Sequence, residues 1–168
     1  MNALIKDFLA FLNGSNSRFH ASLQIQSRLQ AAGFIPLDEK QPFKLKKGGK
    51  YYLCRQDTAV LAFVMGSESL AKGGVKLAAS HIDCPSMKLK VDSVSCDKGV
   101  VRCGVEVYGG PIISTWIDRE LSIAGKVLLR TAKGVESKLI DLQKPLAIIP
   151  NAAIHLNREI NKGFEYNK

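Results

Sequence analysis

The period of the apolar residues changes along this chain, and that change limits the folds open to it. Over the first 32 residues the spacing is helical. Ile5, Phe8, Leu9 and Leu12 lie three and four residues apart, which predicts a helix over 3–12 ending at Asn13-Gly14. Ser15-Asn16-Ser17 offers N-caps for a second helix over about 18–32, carrying Phe19, Leu23 and Ala32, with Gly33 placed as its C-terminal cap. Pro36 and Pro42 frame a loop, and beyond it the helical period is lost. Lys50–Arg55 and Ala59–Gly66 read as strands joined by Gln56-Asp57-Thr58. Val75–Ser80 reads as a further, buried strand that runs into His81. Past Pro85 come short β-like stretches at 87–94, 99–108, 121–130, 137–141 and 146–149, divided by Gly, Asp and Lys. Helices first and strands afterwards point to an α/β domain followed by a β-rich one, with the boundary near residue 90.

The composition excludes several classes. With 46% hydrophobic and 23% charged residues the chain is globular in character rather than disordered. It has no apolar run of the roughly 18 residues a membrane helix needs, and Met1–Asp7 lacks the features of a signal peptide, so a soluble cytoplasmic protein is expected. Cys54, Cys84, Cys96 and Cys103 contain no CxxC pair and are read as reduced, semi-buried thiols. The net charge of +9 raises the question of nucleic acid, since Lys44, Lys46, Lys47, Lys50 and Arg55 cluster beside Tyr51 and Tyr52. Adjacent residues of a strand face opposite ways, so the two rings cannot form one stacking platform. No nucleic-acid motif accompanies the cluster, and it reads as a solvated turn beside a strand.

The segment richest in chemistry is Ala79-Ser80-His81-Ile82-Asp83-Cys84-Pro85. In extended backbone His81 and Asp83 project to the same face. A neutral imidazole is a good zinc ligand, and a nearby carboxylate can fix its ring and raise its basicity. Taken alone, His-x-Asp is also what an ordinary strand end looks like.

Further runs decide between these readings. Phe19-His20-Ala21, Gly48-Gly49-Lys50-Tyr51-Tyr52, Ser80–Pro85, Tyr108-Gly109-Gly110-Pro111, Thr115-Trp116-Ile117-Asp118-Arg119-Glu120-Leu121 and Ile149-Pro150-Asn151-Ala152-Ala153-Ile154-His155-Leu156 follow one another along nearly the whole chain. In order and spacing they resemble the M18 (aspartyl aminopeptidase) family. The resemblance implies a metalloaminopeptidase with two zinc ions per complete site, acting on peptides with an acidic N-terminal preference. It implies an α/β fold, with residues 1–90 starting the zinc-peptidase catalytic domain and 91–168 starting an inserted β-rich domain through which homo-oligomers form. His81 matches the first metal ligand, and Asp83 the carboxylate that serves catalysis from behind it. His155 matches a second functional histidine, described either as a metal ligand or as a substrate contact. His20 is read as a helix-end or packing residue, Trp116 as a packing anchor, and Asp118-Arg119-Glu120 as a structural charge network.

The chain departs from the family pattern in two places. Ile82-Asp83-Cys84 stands where Thr-Asp-Ser is common, and the prolines often preceding Phe-His are replaced in the neighbourhood of Asn16 and Arg18. A two-metal peptidase also needs a bridging carboxylate, further ligands and a Glu base, which in the family lie beyond the stretch matched here. The expectation is therefore an aminopeptidase represented by a truncated chain. A short, inactive relative with an interaction role is the alternative, and a basic nucleic-acid-binding domain a more distant one.

Overall fold

The computed structural model describes residues 2–163; residues 164–168, the end of the expected second domain, lie outside that range. In chain order the elements are α1 (Ala3–Asn13), α2 (Arg18–Ala31), β1 (Ile35–Pro36), β2 (Lys50–Arg55), β3 (Ala59–Val64), α3 (Leu70–Gly73), β4 (Ser86–Asp97), β5 (Val100–Tyr108), a 3₁₀ turn (Ile113–Thr115), β6 (Ala124–Thr131) and β7 (Gly134–Asp141). The chain divides into two units. The first runs to Asp83 and includes Ala124–Asp141; the second comprises Cys84–Ile123 and the described residues from Leu142 onward. Among the described residues no helix is long and apolar enough to cross a membrane.

In the first unit α1 is capped by Asn2, and α2 begins on Ser17, one of the caps the sequence offers. Leu4 N donates to Asn2 Oδ1 at 3.0 Å, and His20 N donates to Ser17 Oγ at the start of α2. Gly33, with φ of 81°, lets the chain leave α2 in the left-handed conformation. Arg28 ties the helices together by an ion pair to Asp7 at 2.7 Å and a contact with the Phe11 ring. Its hydrogen bond holds the Asp7 carboxyl below the ordinary carboxylate range.

The sheet has the order β1-β2-β3, with β1 parallel and β3 antiparallel to β2. The Arg55–Thr58 turn places Gln56 (φ 51°) and Asp57 (φ 59°) in the left-handed region, the twist a tight hairpin prefers. Tyr51 and Tyr52 are both buried, and their partners confirm that they face opposite ways. The Tyr52 hydroxyl accepts from Gln30 Nε2 of α2 at 2.7 Å. The Tyr51 hydroxyl accepts from Lys46 N at 2.9 Å, and its ring packs on Phe63. The Gly-Gly before them has a steric purpose: Gly48 has φ of 72°, and a Cβ on Gly49 would meet the Tyr51 phenol at 2.5 Å. Of the basic cluster, Lys50 donates to Ala32 O at 3.2 Å and Arg55 pairs with Glu39.

The second unit is built on the hairpin β4–β5, turned by Lys98 (φ 49°) and Gly99 (φ 79°). Its register places Met87, Leu89, Val94 and Cys96 opposite Val107, Val105, Cys103 and Val101, so one face is entirely apolar. The other face carries Lys88 opposite Glu106 and Ser95 opposite Arg102. The ladder shifts between Leu89 and Val94. There Ser93 Oγ bonds to Gly104 O, and Gly104 has no space for a Cβ against Ser93.

Four expectations need correction. Of the thiols read as semi-buried only Cys54 is so; Cys84, Cys96 and Cys103 are exposed. Val75–Ser80, read as a buried strand, pairs with no described strand and is exposed, Val75 by 74% and Leu77 by 80%. Its alternating pattern supplies a face but no ladder, and a strand requires both. Residues 146–149 form only isolated bridges, Leu121 to Ala147 and Ile117 to Ile149. The stretch 121–130 pairs as a strand only from Ala124, and its partner β7 starts at Gly134 rather than at 137.

The Gly49 contact yields a stability test. In the full-length protein, Gly49→Ala should cost about 1–3 kcal/mol through overpacking against Tyr51. Equilibrium urea denaturation reads this directly, and Gly49→Ala should cost less in a Tyr51→Leu background than in the parent protein.

Candidate functional site

His81 stands at the end of the exposed segment that follows α3, and local geometry alone provides its partner. His81 Nδ1 lies 3.1 Å from Asp83 Oδ1, the contact expected when residues two apart share a face of extended chain. The imidazole is 93% exposed and the carboxylate 24%. With the carboxylate on Nδ1, the tautomer bearing its proton there is favoured, which leaves the Nε2 lone pair as the nitrogen able to meet a metal. This donor chemistry fits one zinc ligand with its orienting carboxylate.

Around the pair lies an open depression of about 350 Å³, lined by Arg18 of α2, Thr58–Val60 at the start of β3, and Ser80–Asp83. Among the described residues no group of three or more His, Cys, Asp or Glu side chains is gathered as a metal would require. A catalytic zinc needs at least three protein ligands, more than the described residues bring together here.

The other singled-out residues are placed as follows. His155 is exposed, in a turn closed by Leu156 N and Asn157 N donating to Ala153 O, and it belongs to the second unit. His20 Nδ1 lies 2.7 Å from Ser17 Oγ, which ties the ring to the helix cap. Trp116 is half-buried. Asp118 bonds to Asn151, while Arg119 donates to Thr115 O. The Asp118 carboxylate accepts from Asn151 N at 2.9 Å and from Asn151 Nδ2 at 2.7 Å, and Asp118 N donates to Ile149 O. These contacts anchor the run that leads into His155. Sequence reasoning assigned Asp118 to a charge network instead, and nothing local marks a partner 33 residues away.

The model of a family described as aminopeptidase I zinc metalloprotease (M18) matches residues 11–168. The chain belongs to the M18 aminopeptidase family. A probable M18 family aminopeptidase 2 of Ectopseudomonas mendocina (strain ymp) is 44% identical over 164 residues, covering 98% of this chain and 38% of that protein. The structure resembles Chaetomium thermophilum mApe1, with a TM-score of 0.81 at 32% identity over 90% of this chain and 35% of that one. It likewise resembles the S. cerevisiae mApe1 dodecamer, with a TM-score of 0.81 at 29% identity, 91% of this chain and 36% of that one. The chain thus spans little more than a third of the length of these M18 relatives.

The two bonds from Asn151, the backbone one first, hold the Asp118 carboxyl below the ordinary carboxylate range. A lowered pKa means that the tie is complete above the ordinary value of about 3.9 and is lost as pH falls through the lowered one. The Asn151 amide resonances should therefore titrate below that ordinary value in an NMR pH series, and Asp118→Ala should abolish their titration.

Proposed function

We propose that this chain forms the opening third of a zinc-dependent aminopeptidase that removes N-terminal, preferentially acidic, residues from peptides in the cytoplasm. The observation that carries the reading is the His81–Asp83 pair, held at 3.1 Å inside the run that resembles the family's metal-binding segment. In this reading His81 Nε2 binds one of two zinc ions and Asp83 fixes the ring from behind. The remaining ligands and the Glu base come from polypeptide outside this chain, in keeping with the longer relatives. Zinc held there would supply a Lewis acid that polarises the scissile carbonyl and a water whose pKa is lowered towards about 7. Residues 1–90 then begin the catalytic domain and 91–168 the inserted β-rich domain. The open apolar face of β4–β5 supports assigning association to the latter, and a family member from S. cerevisiae is described as a dodecamer. His155 contacts substrate rather than metal in this reading, because its unit is not the one that carries His81.

Two measurements test the metal assignment. In full-length protein His81→Ala should lower bound zinc and remove most activity, whereas Asp83→Asn should cost about 10- to 100-fold in metal affinity or rate. Residues 1–168 alone should show no metal-dependent turnover of acidic aminoacyl substrates. Undiminished zinc and rate in the His81 variant would remove that residue from the centre.

The role of His155 separates by the same assays. Its replacement by Ala should leave zinc in place and lower kcat/KM, since only a substrate contact is lost. If the contact crosses between subunits, mixing His155→Ala with His81→Ala protein should restore part of the activity. Loss of zinc without complementation in verified mixed oligomers would return His155 to the metal ligands.

A further inference from the structure

The run that carries His155 is tied to the rest of its unit through Asp118. Asp118 N donates to Ile149 O at 2.9 Å, beside an isolated bridge between Ile117 and Ile149. The Asp118 carboxylate then accepts from both donors of Asn151, the backbone N at 2.9 Å and Nδ2 at 2.7 Å. Past Asn151 the chain turns on itself: Leu156 N and Asn157 N both donate to Ala153 O, closing a turn around Ile154 and His155. Among the described residues, those from Ala152 to Lys162 make no hydrogen bond outside their own run, and Asn151 to Glu159 are all exposed. Asp118 itself has φ of 55°, a left-handed backbone that few residues other than glycine adopt and that persists where contacts hold it. Asp118, Asn151 and His155 all belong to the second unit.

We propose that Asp118 is a positioning residue for His155, acting through Asn151. The inference rests on the reading of His155 as a substrate contact, and it says how an exposed histidine is held ready for that role. A carboxylate has two acceptor oxygens, and by taking the N–H and the side-chain amide of one residue it fixes backbone and side chain there together. From that fixed point Ala152, Ala153 and Ile154 lead directly to His155, and the turn on Ala153 O limits how far the imidazole can swing. Releasing Asn151 therefore frees His155 without touching the substrate or the His81 pair. A contact made in the transition state is sensitive to such release, since a misplacement of about 1 Å can cost about 100-fold in rate. Arg119, next in the chain, has a different duty: it donates to Thr115 O and stays with the 3₁₀ turn.

A double-mutant cycle in full-length protein, assayed on Glu-Ala-amide, tests the link. Asp118→Gly suits the φ of 55° and removes both bonds without straining the backbone. It should lower kcat/KM by about 10-fold, and by less than His155→Ala does. In a His155→Ala background the same change should have no further effect, and zinc content should match the parent throughout. Asn151→Ala, which leaves the backbone bond in place, should give a smaller fall with the same dependence on His155. Asp118→Asn still accepts from Asn151 N and tolerates the same backbone, so it should keep most of the parent rate. An equal fall with and without His155, no fall in Asp118→Gly, or a loss of zinc would overturn the positioning role while leaving the peptidase reading intact. An undiminished kcat/KM in His155→Ala would withdraw the substrate contact, and the inference with it.

Discussion

The first unit depends on how closely α2 approaches β2. Ala21 and Ser22 are the buried residues of that helix, and their small side chains permit the approach. Ser22 Oγ comes within 3.4 Å of Cys54 Sγ, and Gln26 Nε2 reaches both atoms at 3.2 and 3.4 Å. One turn further on, Gln30 finds the Tyr52 hydroxyl. A polar seam of this kind is stable because each buried group has a partner, and it fixes the axial position of the helix in a way apolar contact alone would not. The opposite end of α2 is thereby placed as well. Phe19 is set against Lys126 of β6, and Arg18 against the depression that His81 lines. A larger residue at position 22 would lift the helix and move both ends of this arrangement together.

The surfaces left open are as informative as the seam. Each unit leaves apolar area exposed that β-strands ordinarily cover. Val94 is 67% exposed and Val101 62%, both on the apolar face of β4–β5, and Val75 and Leu77 project from a segment with strand-like alternation but no neighbour. At about 25 cal/mol per Å² such faces favour any partner that fits them. The matched stretch is 38% of the relative from Ectopseudomonas mendocina, so well over half of that protein lies beyond it.

What the sequence made legible follows the same division between local and distant causes. Both helices, β2, β3 and β5 rest on periodicity, caps and turns, and they appear within a few residues of where those signals put them. The His81–Asp83 contact is local as well, since two residues of extended backbone suffice to place it. By contrast, the fate of Val75–Ser80 turns on whether another strand is present to pair with it, which no window of sequence reveals. Asp118 and Asn151 are joined across 33 residues by chain folding in the second unit. The Phe19 ring receives Lys126 from a hairpin more than a hundred residues away. These contacts decide charge balance and anchoring, and they lay beyond a reading based on motifs.

This division has a consequence for how the proposed metal centre assembles. His81, the proposed ligand, and the Asp83 carboxylate lie within three consecutive residues, so their mutual geometry does not wait for the surrounding sheet. The carboxylate is the more sheltered member, 24% against 93% exposed, so the orienting group is held while the imidazole remains accessible. Placement of that pair relative to other donors is a separate matter, because the segment leading into it lacks a ladder to fix its direction. In a chain built this way, ligand chemistry is prepared locally and the coordination number is completed only by tertiary structure.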